Sequence, residues 1–443
     1  MPDQPTPAGG RESRTTETEK TRDMSDAMTI ESVHPLAPMQ EGMWFHALYT
    51  PEDDVYVEQV TCLIEGSLDA AAFRRAWDEV VARHTALRTS FHAVDGKAPV
   101  QAVHRAVEVP WTREDWRDVP AEERQDRLDA FLREDRARGF DPARPPLVRF
   151  ALLRLDDAAH QFVWTHHHLL LDGWSVPLVL QEVAACYAAA RDGRPAALPV
   201  PRPYQEYVGW LERQDEAAAE DFWRTGLRGF HEPTPLPLDR GPGEADTPPE
   251  HRVRRTGLPR SVTAELQTMA RRYGITPNTV VQGAWALLLS RYSGGQDVLH
   301  GMTVAGRPAD LPGVEDMVGL FINTVPVRIQ VQPHLPAGDW LRGLQAGLLD
   351  LRSHEHTPLA RVQSWADVGS GVPLFESLVV FENYPVAPSE AQEAFAGLTI
   401  SQNETEERTN FPVTLVAVPG SALGLQLIFD HHRLAPQDAT TLL

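Results

Sequence analysis

The chain has 443 residues, 42% of them hydrophobic and 8% aromatic, with a net charge of −21 and an isoelectric point near 5.2. So acidic a balance excludes the concentrated Lys and Arg that nucleic acid or an anionic bilayer would require, and no apolar run reaches the roughly 18 residues of a membrane span. The length is more than one core organises, so two lobes are expected, and a mean hydropathy of −0.33 with only two cysteines reads as a cytoplasmic protein with reduced, buried thiols at Cys62 and Cys186.

Residues 1–30 are polar, mixed in charge and poor in aromatics, which predicts a disordered leader; a solvated tail is the plain reading and a docking segment for another protein the alternative. "VYVEQVTCLI" (55–64) then has the β-branched character of a strand. Over 68–84, Phe73, Trp77, Val80 and Val81 share one helical stripe behind a candidate N-cap, Asp69. Strands follow at 87–94, 147–155 and 161–167, and a helix from a capping Ser175 to just before Gly193.

A Pro-rich break at 193–203 precedes a segment read as one long helix, 204–227, and a linker or exposed loop at 229–250. The second half repeats the style of the first: helices at 261–273, 276–293 and 337–353, with strands at 297–306, 321–331 and near 374–383, 411–418 and 423–430. The pattern predicts an α+β fold: a leader (1–30), a first lobe (31–203), a connecting helix and linker (204–250) and a second lobe (251–443). The Gly-rich phosphate loop of a dinucleotide fold is missing.

"FVWTHHHLLLDGWSVPL" (162–178) places His166, His167 and His168 at the end of an apolar strand. Alternation puts His166 and His168 on one face and His167 on the other. A His-x-His pair could give two zinc ligands, but zinc needs a third, and only the distant "DHH" at 430–432 offers one; no metal is expected. Hydrogen-bonded filling of a core is the ordinary alternative. Asp172 and Gly173 end the strand in a tight turn, which aims the last histidine at whatever lies above it. An imidazole there can take a proton from an amine or hydroxyl near neutral pH.

"HHLLLDG" (167–173) resembles the HHxxxDG active-site motif of condensation domains in nonribosomal peptide synthetases, within the chloramphenicol-acetyltransferase-like acyltransferases. "HPLAPMQEGMWFH" (34–46), "RHTALRTSF" (83–91), "YQEYVGW" (204–210), "MVGLFINTVPVR" (317–328) and "PLFESLVVFENYP" (373–385) resemble further segments of that family, in the family's order. The resemblance implies two acetyltransferase-like lobes in a V-shaped pseudo-dimer around a central tunnel. Donor and acceptor peptidyl carrier proteins would deliver substrates on 4'-phosphopantetheine arms, with no cofactor bound directly. An adjacent adenylation domain or an upstream part of a synthetase is the implied neighbour.

Carried onto this sequence, the resemblance makes His168 the functional histidine and His167 a structural one; His166 lies outside the motif and is expected in the core. Asp172 is implied to be a structural anchor paired with an arginine of the other lobe, for which Arg307 in "GMTVAGRP" is the candidate; a catalytic relay is the alternative. Gly173 would let the backbone approach the reacting centre. Trp174, Ser175, Asn323 and Gln40 are candidate tunnel-lining residues, with core packing the other reading of Trp174, and Arg88 is expected to stabilise the fold. Two rival readings stand: a free-standing ester- or amide-forming acyltransferase using CoA or carrier thioesters, and a catalytically silent recruitment platform. Silent relatives usually lose the second histidine or the aspartate, and both are present.

Overall fold

The histidine triplet closes the middle strand of a five-stranded sheet. The computed structural model describes residues 30–49, 56–236, 250–369, 371–383, 395, 397–402 and 409–443; residues 1–29 of the leader and most of the 229–250 loop lie outside the described residues. In that sheet β2 (Val57–Glu65), β6 (Val148–Arg154) and β7 (Ala159–His167) run antiparallel in the order β2–β7–β6, and β5 (Trp111–Asp115) adds parallel to β6. Helix α1 (Pro38–Tyr49), helix α2 (Ala70–Arg83), helix α3 (Arg124–Ala137) and helix α4 (Ser175–Arg191) belong to the same half. Asp69 caps α2 by accepting the amides of Ala71 and Ala72, both at 2.9 Å.

One face of β7 carries Phe162 and Trp164, which join Phe73 and Trp77 of α2 and Phe150 of β6 in an aromatic cluster. The other face is polar at its end: Thr165 donates to Asp135 Oδ2 at 2.6 Å, and Arg149 also binds that carboxylate. A small sheet, with β4 (Lys97–His104) between β1 (Ile30–Pro35) and β3 (Thr89–Val94), stands beside this lobe. Arg88 is buried there, its guanidinium bound to Glu31 and to the carbonyl of His104.

The segment read as one helix over 204–227 is two, α5 (Gln205–Leu211) and α6 (Glu216–Leu227). Asp215 accepts the amide of Ala218 and starts the second helix, a capping signal hidden inside a continuous helical pattern. Beyond it, a six-stranded sheet is ordered β10–β9–β11–β13–β14–β8: β10 (Asn323–Gln330), β9 (Asp297–Val304), β11 (Ser377–Phe381), β13 (Val413–Val418), β14 (Gly424–Asp430) and β8 (His251–Gly257). Helices α7 (Arg260–Tyr273), α8 (Pro277–Ser293), α9 (Ala337–Arg352), α10 (Leu359–Trp365) and α11 (Pro436–Leu442) complete this half.

One strand does not stay with its own half. Strand β12 (Thr399–Gln402) pairs antiparallel with β2, Thr399 opposite Glu65 and Gln402 opposite Cys62. Phe395, Leu398, Val318 and Leu320, all from the second half, are buried in the first half's core.

Candidate active site at the end of strand β7

Antiparallel pairing sets Glu58 of β2 directly opposite His166, and Val57 opposite His167. Paired residues share a face, so Glu58 and His166 lie together while His167 points the other way. His166 is fully buried against Trp164, ring centroids 4.9 Å apart, with Nε2 3.4 Å from Glu58 Oε2. His167 is also buried. The Leu169 amide donates to its Nδ1 at 3.1 Å, which leaves the ring proton on Nε2. Burial, reinforced by the imidazoles on either side, pushes His167 down to about 3 and keeps it neutral.

His168 sits one residue past the strand, its amide held by the Tyr56 carbonyl at 2.9 Å. Its Nδ1 lies 2.6 Å from the carbonyl oxygen of Leu171. A carbonyl only accepts, so Nδ1 carries a proton, and in the neutral ring the lone pair is on Nε2. Nε2 faces Glu58 Oε1 at 3.4 Å, and 18% of the side chain remains open to solvent. The two adjacent rings are thus held through opposite roles of Nδ1, an acceptor in His167 and a donor in His168.

Glu58 escaped the sequence reading; the one signal was a carboxylate near the start of a β-branched strand. Burial by itself would raise its pKa. Charge attraction to the His168 imidazolium and the contact with His166 outweigh that and hold it down to about 2.

The turn after His168 is fastened to the second half of the chain. Asp172 Oδ1 accepts from the Ser175 amide at 2.9 Å, the Ser175 hydroxyl at 2.7 Å and Arg307 Nη2 at 3.2 Å; Oδ2 accepts from the Phe321 amide at 3.0 Å. Arg307 also donates to the carbonyls of Val314 and Met317, and its guanidinium lies 3.9 Å from the centroid of Phe321. Two glycines permit this approach. At Gly306, φ is +60° and a Cβ would lie 1.8 Å from the Phe321 oxygen; at Gly319 a Cβ would enter the Tyr204 ring at 2.1 Å. Tyr204 donates its hydroxyl to the Leu320 carbonyl, so the "YQEYVGW" and "GLFIN" segments meet directly beneath the turn.

The condensation-domain family profile matches residues 30–440. The chain belongs to the condensation-domain family. It is 46% and 43% identical to two of the linear gramicidin synthase proteins of Brevibacillus parabrevis, over 91% and 94% of its own length. It spans only 8% and 5% of those relatives. Among solved structures, the first condensation domain of the calcium-dependent antibiotic synthetase matches with a TM-score of 0.74 and 23% identity, covering 93% of this chain and 94% of that one. The X-domain in its complex with OxyB from teicoplanin biosynthesis matches at 0.79 and 24%, covering 94% of this chain and 92% of that one. At these identities the likeness is one of fold.

Other residues of this condensation domain stand differently from expectation. Ser175 is not a helix cap but the first helical residue, fully buried, with its hydroxyl among Asp172, Gly319 and Arg307. Asn323 is buried and donates to the carbonyls of Glu355 and Thr357 at 2.8 and 2.7 Å. Gln40 is buried, donates to the Leu169 carbonyl at 3.1 Å and accepts from the Ala37 amide at 2.9 Å. The polar atoms of all three close internal networks, so none forms an open wall. Trp174 is neither core nor free surface: half-buried, it donates to the Glu315 carbonyl at 3.0 Å with Arg307 5.2 Å from its ring centroid. Gly173 is half-buried beside it.

A cavity of about 380 Å³ lies in the second half against Trp223, Leu227, Val327 and Trp340, and its lining includes no residue of the histidine turn. Among the described residues, no cluster of three His, Cys, Asp or Glu could hold a metal ion, and no helix is long and apolar enough to cross a membrane.

Proposed function

We propose that this condensation domain joins a donor acyl or peptidyl thioester to the amine of an acceptor aminoacyl group, each delivered on the phosphopantetheine arm of a carrier protein. One observation carries the reading: the sole partly exposed imidazole of the triplet, His168, donates its Nδ1 proton to the Leu171 carbonyl, which leaves Nε2, beside Glu58, as the nitrogen that can take up a further proton. The acceptor nitrogen attacks the thioester carbonyl, the N–C bond forms, and the C–S bond breaks. The proton lost by nitrogen passes to Nε2 and leaves with the departing thiol. Holding both tethered reactants in line supplies much of the rate, because a bimolecular encounter becomes local.

In this reading the halves form two acetyltransferase-like lobes in a V, with a tunnel between them that the arms enter from opposite mouths. Asp172 serves as an anchor rather than a relay, since its oxygens are committed to Arg307, Ser175 and Phe321. The similarity to parts of long gramicidin synthases supports an assembly-line setting with adenylation and carrier domains as neighbours.

The recruitment-platform reading has one support, the fold likeness to an X-domain bound to OxyB. The partly exposed His168, hydrogen-bonded through Nδ1, favours chemistry instead. The test is amide formation on a panel of acyl- and aminoacyl-loaded carriers, followed by mass spectrometry. His168→Ala is expected to lower the rate by about 10²–10⁴-fold; undiminished product would remove this histidine from the mechanism, and a stable complex without turnover by the native protein would favour the platform.

A further inference from the structure

Glu58 has no assigned role, yet it is the acid that meets the histidine cluster at its open end. Its carboxylate spans two rings, Oε2 at 3.4 Å from His166 Nε2 and Oε1 at 3.4 Å from His168 Nε2. The position is imposed by sheet register, because Glu58 is the cross-strand partner of His166 and His168 lies one residue past the end of that strand. The contact falls on the nitrogen that carries the lone pair when the ring is neutral. A neutral imidazole would turn that lone pair toward a carboxylate, which is repulsive; an imidazolium would turn an N–H toward it, which is attractive. The site is thus built for the state that exists after His168 has taken a proton.

We infer that Glu58 is a positioning residue that pairs with the His168 imidazolium and thereby sets how readily His168 accepts a proton. The inference rests on the reading of His168 as the proton acceptor. His166 of β7 faces this pair directly; His167, on the opposite face of β7, packs instead against Tyr56 just before β2, whose ring meets His46 of α1 at 5.3 Å. His167 stays neutral, as described above. Asp172, four residues beyond His168, is paired with Arg307 and bound by Ser175 and Phe321. Glu58 keeps 30% of its side-chain surface open, so it also borders the space where an acceptor amine would arrive.

The test separates charge from shape. Diethyl pyrocarbonate reacts with unprotonated imidazole, and its pH-dependent addition to His168 can be followed by peptide mass spectrometry without any substrate. Glu58→Gln keeps the size and removes the charge; Glu58→Asp keeps the charge. In Glu58→Gln the half-maximal reactivity of His168 is expected about one pH unit lower than in the native protein. Glu58→Asp should return most of that displacement. On a carrier pair that the native domain turns over, the acidic limb of the pH–rate profile should move the same way, with the plateau of Glu58→Gln lower by about tenfold. Superimposable modification profiles for native protein and Glu58→Gln would overturn the inference, as would a Glu58→Asp profile that follows Glu58→Gln. Full amide formation by His168→Ala would sink the proton-acceptor reading alone, since the modification profile reports on Glu58 without turnover.

Discussion

Asp172 and Arg307 are 135 residues apart in sequence and meet at 3.2 Å, both side chains almost completely withdrawn from solvent. Their contact fixes the end of the histidine turn to the 317–321 segment. Replacing Asp172 by Ala would strand a buried guanidinium and leave the Phe321 amide without its acceptor. Such a loss costs about 3–5 kcal/mol, to be read as a lower urea midpoint and reduced soluble yield. Asp172→Asn, which keeps acceptors but not charge, should fall between. A native midpoint for Asp172→Ala with dead enzyme would make this aspartate catalytic rather than an anchor.

Gly306 precedes Arg307 and faces the Phe321 backbone. Gly306→Ala should destabilise by more than about 2 kcal/mol, combining a left-handed backbone with a direct clash. Gly343 is the control: it lies inside α9, is exposed, and has nothing within 4 Å of a built Cβ. Gly343→Ala should be neutral or stabilising by roughly 0.5–1 kcal/mol. Thermal melts of the two variants decide it.

Acid should weaken this fold well before its carboxylates titrate. His167 and His300 are both held at about 3 by burial, against 6.5 for a free imidazole. Between those values the unfolded chain binds protons that the folded chain refuses, so stability rises with pH across that window, by up to about 1.4 kcal/mol per pH unit per group. Below the ordinary carboxylate range Glu58 acts in the same direction, since its folded value is the lower one and its contribution is lost toward about 2. Urea midpoints measured from pH 7 to 4.5 should therefore fall steadily. A flat profile in a Glu355→Gln background would mean that these imidazoles are protonated in the native state.

Glu355 opposes that slope. Burial raises it to about 7, with Arg352 only partly offsetting the rise. From about 4.5 upward the unfolded chain releases a proton that the folded chain retains, so this group costs stability as pH rises toward 7. Glu355→Gln should melt higher than the native protein at pH 8, and the gap should close by pH 5. An equal gap at both pH values would separate the effect from ionisation.

What could be read in the sequence was local or motif-borne. Asp69 as a cap, the strand ending in three histidines, and the α+β alternation all follow from side-chain type and period, and the Arg307 partner of Asp172 came through the family resemblance. What could not be read depended on register. Glu58 gains its meaning only when β2 pairs with β7 and sets it opposite His166. Gln40, Ser175 and Asn323 are polar residues in motif segments, and such residues look alike whether they face a channel or close an internal network. Asp215 broke an apparently continuous helix because a capping aspartate resembles any exposed acid on a helical face.

Strand β12 makes the two halves topologically interdependent. Without residues 399–402, the edge of β2 would be bare over Cys62–Glu65, a row of unsatisfied amides and carbonyls that invites association with other chains. A fragment ending near residue 236 should aggregate. A chimaera that exchanges one half between related proteins would have to move this strand with the sheet it completes, not with the stretch of gene that encodes it.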